Sequence, residues 1–70
     1  SNYQQALAWF QKALDLAEAN NDVATMAYAL INMGMTHKTI GDTARAERNL
    51  LDGVRFARRA SIRNVELYAY

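Results

Sequence analysis

The one histidine of this 70-residue chain, His37, is the only side chain whose ordinary pKa suits it to general base chemistry near neutral pH. A nucleophilic mechanism needs a serine or cysteine delivered to that base. The chain has no cysteine, and neither of its serines, Ser1 and Ser61, stands at a recognisable motif spacing from His37. His37 falls on the apolar stripe of its segment, so it reads as a packed or capping residue. Asp15 and Glu18 share a helix face with Lys12 one turn earlier, a solvated arrangement worth a few tenths of a kcal/mol at about i,i+3 spacing. A single histidine without thiolates makes no metal cluster. Gly34 and Gly41 lack the flanking residues of a phosphate-binding loop. No catalytic, metal or cofactor residues are therefore expected, and the chain reads as a non-enzyme.

The arginines offer a different chemistry. Arg45, Arg48, Arg55 and Arg59 line one side of a single predicted helix, joined by Arg58 and Arg63. Clustered cations of this kind contact nucleic acid or acidic partners. Asp52 interrupts the stripe and Glu47 lies within pairing distance along the helix. The stripe is read as an ordinary charged face, with an acidic-ligand or nucleic-acid surface as the alternative and nucleic acid not expected. The net charge is only +1, but it is unevenly placed. Residues 1–37 carry Lys12 against Asp15, Glu18 and Asp22, a net −2, whereas residues 38–70 carry Lys38 and six arginines against Asp42, Glu47, Asp52 and Glu66, a net +3.

The elements that must position these residues are helices. Proline is absent, glycine occurs three times, and alanine is abundant. Breaks fall at Asn20-Asn21-Asp22, at Gly41-Asp42-Thr43 and near Ala60-Ser61. They offer Asp22, Asp42 and Ser61 as N-caps, whose side-chain oxygens accept an orphan backbone N–H. Asn2 with Gln5 resembles a capping box at the start. Four helical segments are predicted, over 3–19, 23–39, 43–59 and 62–70, with apolar stripes at 3.6-residue spacing. The stripes run through Ala6, Phe10, Ala13, Leu14 and Ala17; through Met26, Leu30, Met33, His37 and Ile40; through Ala46, Leu50, Gly53, Val54 and Ala57; and through Ile62, Val65, Tyr68, Ala69 and Tyr70. A chain this short buries only about 60% of its unfolded surface. Without disulfides or metal it must rely on tight helix packing, self-association or attachment to more chain. No apolar run approaches the roughly 20 residues of a membrane span, and no leader pattern is recognised. A cytoplasmic protein without membrane contact is expected.

Gly34 sits inside the second predicted helix, where it costs roughly 1 kcal/mol relative to alanine. Laying the chain on itself with a shift of 40 residues places Ala6 on Ala46, Phe10 on Leu50, Ala13 on Gly53, Leu14 on Val54, Leu16 on Phe56, Ala17 on Ala57 and Tyr28 on Tyr68. Only four of thirty positions are identical, so the signal lies in matched side-chain size at the predicted buried positions. Leu30-x-x-Met33-Gly34-x-x-His37 followed by Ala46-x-x-x-Leu50 resembles the tetratricopeptide repeat pattern. Tyr3-x-x-Ala6-x-x-x-Phe10-x-x-Ala13 resembles the second helix of a preceding repeat. The chain departs from the pattern in three places. His37 stands where tyrosine is usual, Gly53 where alanine is usual, and the closing proline is missing. The period of 40 is similar to that of the longer repeats in bacterial regulators and signalling proteins and in kinesin light chains.

The resemblance implies an all-α array of antiparallel helical hairpins, a solenoid of about four helices. It holds a second-type helix at 3–19, a complete repeat at 23–59 and a partial first-type helix at 62–70, all one domain over 1–70 and a segment of a longer solenoid. Gly34, Ala46, Leu30, Met33 and Leu50 are then helix-packing residues. First-type helices line a concave groove in this family, which assigns Tyr28, Ile31, Asn32, Met35, Lys38, Thr39 and Tyr68 to a surface for a protein or peptide partner. The alternative is self-association through uncapped ends. Leu7, Trp9 and Phe10 at one end, and Leu67 and Tyr70 at the other, would then meet between copies as a homo-oligomer.

Overall fold

A computed structural model describes the backbone of residues 2–68 and the side chains of residues 2–64. Three helices follow one another: α1 (Asn2–Ala19), α2 (Val23–Ile40) and α3 (Thr43–Tyr68). No strand occurs among the described residues. The helices form an elongated slab of 47 × 21 × 13 Å with α2 in the middle. α2 packs against α1 on one flank and α3 on the other, and the backbones of α1 and α3 do not come close to each other among the described residues.

Two turns of the same construction set this order. At the first, Asn21 adopts a left-handed backbone (φ 55°) and the Asp22 N–H donates to the Ala17 carbonyl at 2.8 Å. At the second, Gly41 takes φ 99° and the Asp42 N–H donates to the His37 carbonyl at 2.8 Å. Left-handed backbone suits glycine and, less readily, asparagine, which is why these two residues close the helices. Each turn then hands over to an aspartate cap. The Asp22 carboxylate accepts from the Thr25 N–H, and the Asp42 carboxylate accepts from the Arg45 N–H.

The expected third turn is absent. α3 runs unbroken through Ala60 and Ser61, so Ser61 is an exposed interior residue and not a cap, and no separate fourth helix begins at residue 62. The physical reason is visible beside the two real turns. Ala60-Ser61 brings neither a residue suited to positive φ nor a proline, and the flanking alanines and arginines propagate a helix well. Leu67 and Tyr68, whose side chains were assigned to an end interface and to the groove, lie outside the described side chains, and Tyr70 lies outside the described residues.

The α2–α3 crossing rests on a reciprocal pattern. Ala27-x3-Ile31-x2-Gly34 on α2 faces Ala46-x3-Leu50-x2-Gly53 on the antiparallel α3. A Cβ added at Gly34 would lie 2.7 Å from Leu50 Cγ and 3.2 Å from the Ala46 carbonyl oxygen. One added at Gly53 would lie 2.7 Å from Ile31 Cγ1 and 3.4 Å from the Ala27 carbonyl oxygen. Each helix thus seats its branched residue over the other's glycine. Against α1 the contact is ordinary apolar packing. Leu14, Ala29, Leu30 and Met33 form the core, and Leu7, Phe10, Ala13, Met26 and Phe56 pack on it half-buried.

The buried set differs from the predicted stripes where the number of neighbours differs. Ala27 and Ala29, outside the predicted stripe of α2, are both buried because that helix is covered from two sides. Val54 and Ala57 are exposed because α3 has a neighbour on one side only. Ile40, at the last turn of α2, is also exposed.

Two outcomes follow from this packing. Gly34→Ala gains roughly 1 kcal/mol of helix propensity and incurs overpacking of roughly 1–3 kcal/mol, so it lowers stability by about 1 kcal/mol in urea denaturation. Leu50→Ala then costs about 1 kcal/mol less in the Gly34→Ala background than alone. Additive losses would place the strain elsewhere. At the first cap, the Thr25 hydroxyl and then the Thr25 N–H, both donating to the carboxylate, hold Asp22 below its ordinary value of 3.8. A lowered folded value means that the carboxylate's contribution is present above the ordinary value and is lost as pH falls through the folded one. The stability gap between wild type and Asp22→Ala therefore narrows from about pH 5 to about pH 2. A gap that stays constant over that range rules the carboxylate out as its source.

Candidate functional site

Because α1 and α3 take two flanks of α2, one stripe of that helix stays open. Helical spacing puts Ala24, Tyr28, Met35 and Thr39 along it, with Ile31 and Asn32 at its edges. Tyr28 is 63% exposed and Met35 57% exposed, unusual values for large apolar side chains in the middle of a central helix. Ile31 leans toward α3, where its Cγ1 approaches Gly53, and so forms one wall of the stripe. Lys38 and Thr39 are exposed near the C-terminal end.

The polar groups of this stripe are tied to their own helix. Asn32 Nδ2 donates to the Tyr28 carbonyl at 2.8 Å, Thr36 Oγ1 to the Asn32 carbonyl at 2.8 Å, and Thr39 Oγ1 to the Met35 carbonyl at 3.0 Å. Such bonds back to residue i−4 are the ordinary use of short polar side chains inside helices. They also fix the Asn32 amide through its Nδ2.

The residues assigned to end contacts divide. Leu7 and Phe10 turn toward α2 and pack against the core, because α1 has only one helix to lean on and spends its largest side chains there. Trp9 faces outward at 70% exposed, with Lys12 Nζ 5.9 Å from its ring centre, and Leu16 joins it at 66% exposed. Leu16 was matched in sequence with Phe56 and not assigned to a surface. Its placement two turns after Trp9 on the same stripe was the available signal.

The arginines do not form one stripe with one neighbourhood. Arg55 pairs with Asp52 at 3.7 Å, and the Arg59 guanidinium lies 5.1 Å from the Phe56 ring centre. Arg45 and Arg48 instead meet His37, Met33 and Asn49 around a hollow of about 230 Å³ at the α2–α3 turn. A larger hollow of about 600 Å³ opens between α1 and α3 at the other end of α2, floored by Leu14, Met26, Leu30 and Phe56 with Glu18 and Asp52 among its walls. The meeting of His37 with Arg45 was readable in principle. Both stand four residues from Gly41, and residues equidistant from the turn of an antiparallel pair are neighbours.

Among the described residues no histidine, cysteine and carboxylate group can hold a metal ion, and no described helix is long and apolar enough to cross a membrane. A family model for the tetratricopeptide repeat matches residues 1–59. No curated protein and no solved structure matches the chain.

Proposed function

The chain belongs to the tetratricopeptide repeat family, and from that premise we propose that the open stripe of α2 binds a protein or peptide segment. The family is one of protein-interaction scaffolds, and a non-enzymatic binding role suits the residues present. The observation that carries the assignment is the pair Tyr28 and Met35, two large side chains held out of the core on one stripe of a helix flanked by two others. In this reading Tyr28 and Met35 bury against apolar side chains of the partner. Asn32 Oδ1 accepts a partner backbone N–H, Lys38 holds an acidic group, and Ile31 and Thr39 border the contact. The 40-residue period and the solenoid it implies belong to this proposal.

A second reading has its own observation. The face with which α1 covers α2 includes Phe10, Leu14 and Ala17, and the related residues on α3 are Leu50, Val54 and Ala57, of which Val54 and Ala57 lie open beside Leu51. The outer side of α1 is likewise apolar at Trp9 and Leu16. These two flanks are suited to end-to-end assembly of copies.

Both readings are open to direct test. Peptides selected from a random display library on the immobilised chain are expected to bind through the open stripe. The double substitution Tyr28→Ala with Met35→Ala weakens them by roughly 30-fold or more, while Trp9→Ala leaves them unchanged. Retained affinity in the double variant moves the function off this stripe. For assembly, sedimentation equilibrium over a wide concentration range should show species above 7.9 kDa that return to that mass in Leu51→Glu. A chain that stays at 7.9 kDa throughout excludes it.

A further inference from the structure

The chain holds three methionines and no cysteine, so thioethers are the groups a peroxide oxidises most readily here. The fold gives the three sulfurs different surroundings. Met33 is 8% exposed and belongs to the core with Leu14, Ala29 and Leu30. Met26 is half-buried against that core, on the floor of the larger hollow. Met35 is 57% exposed and stands on the open stripe of α2. Two residues separate Met33 from Met35, about 200° around the helix, so one faces the core and the other faces water.

Oxygen transfer needs the peroxide to meet the sulfur, which ranks Met35 first and Met33 last. The consequences for the fold run in the same order. At Met35 the new oxygen stays hydrated, with Asn32 and the exposed Lys38 one turn away on either side. At Met33 it would be a polar atom enclosed by Leu14 and Leu30, a costly placement without a donor. Oxidation confined to Met35 therefore leaves the three-helix packing intact. It changes only the stripe, where the flexible apolar thioether becomes a polar, chiral sulfoxide.

We propose that Met35 is a modification site through which oxidation releases the partner of the open stripe, an inference that rests on that stripe binding a protein or peptide segment. A hydroperoxide transfers one oxygen atom to Met35 Sδ. The S–O bond forms as the O–O bond breaks, the sulfur gives up two electrons, and the peroxide leaves as water or alcohol. A dithiol-dependent sulfoxide reductase reverses the step, with the oxygen leaving as water and the two thiols joining as a disulfide. Pressed against apolar side chains of the partner, the sulfoxide oxygen loses its hydration and gains no donor, so the contact is released. A bound partner covers the sulfur in turn, which directs the oxidant to unoccupied copies.

The test uses hydrogen peroxide, removed with catalase before binding is measured, and the display-selected peptides described above. At limiting peroxide, peptide mapping by mass spectrometry should show Met35 oxidised about tenfold or more faster than Met33, with the thermal midpoint unchanged at that stage. The singly oxidised chain should bind the peptides about tenfold more weakly. Methionine sulfoxide reductases for both sulfoxide epimers, supplied with dithiothreitol, should restore the affinity. Met35→Leu should bind within about threefold of the untreated wild type and keep that affinity after peroxide. The proposal is overturned if Met33 or Met26 takes up oxygen as fast as Met35, if the oxidised chain binds as tightly as the untreated one, or if Met35→Leu loses affinity on peroxide as the wild type does. Tyr28→Ala separates the switch from the reading beneath it. Weakened binding by untreated Tyr28→Ala, with no effect of peroxide on the wild type, removes the switch alone. Undiminished binding by Tyr28→Ala removes the stripe and the switch together.

Discussion

The close crossing of α2 and α3 is the constraint on which the rest depends. Ile31 lies over Gly53 and Leu50 over Gly34, so the two backbones approach through reciprocal gaps. An antiparallel pair with alternating small and branched residues fits in one register only, since a slip of one turn sets a branched residue against a branched residue. That register decides which residues of α2 are covered by α3. It therefore decides which remain for α1, and what is left over as the open stripe. The glycines are unfavourable for helix formation taken singly and favourable for the pair.

The slab that results is thin. At 13 Å in its shortest dimension it has one layer of helices and, among the described residues, no large side chain that is wholly shielded from solvent. Chains of this size are held by small net stabilities. Placing the smallest residues where backbones touch, with Ala29 completely buried and Ala27 and Ala46 nearly so, brings many atoms into contact without needing volume to fill. Two faces and two flanks stay accessible, which suits a family of protein-interaction scaffolds.

What could be read from the sequence tracks how local the cause is. The helical class and the first two turns are legible because Asn21, Gly41 and the aspartates beside them act within a few residues of themselves. Gly34 advertised a close approach by its cost in a helix. Ala60-Ser61 was misread because a serine after an alanine is only a cap when something nearby ends the preceding helix, and here nothing does. Burial of Ala27 and Ala29, and the inward turn of Leu7 and Phe10, depend on how many neighbours each helix has, which periodicity alone does not report. The Arg45, Arg48 and His37 hollow needed the antiparallel pairing first and the charge pattern second. The partner roles of Tyr28, Met35 and their neighbours were drawn from the family resemblance and remain the reading proposed above.

The distance between the α1 and α3 backbones shapes how the molecule comes apart. Among the described residues every close backbone approach joins helices adjacent in sequence, so the packing depends little on distant segments. The α2–α3 hairpin carries its own interlock, whereas α1 is attached by one apolar seam. Cooperativity in such an array is transmitted only from neighbour to neighbour. The smallest opening such an array can make is thus the release of α1 from a persisting hairpin. Backbone amides of α1 exchange with solvent through that smaller opening and those at the α2–α3 crossing through the larger one.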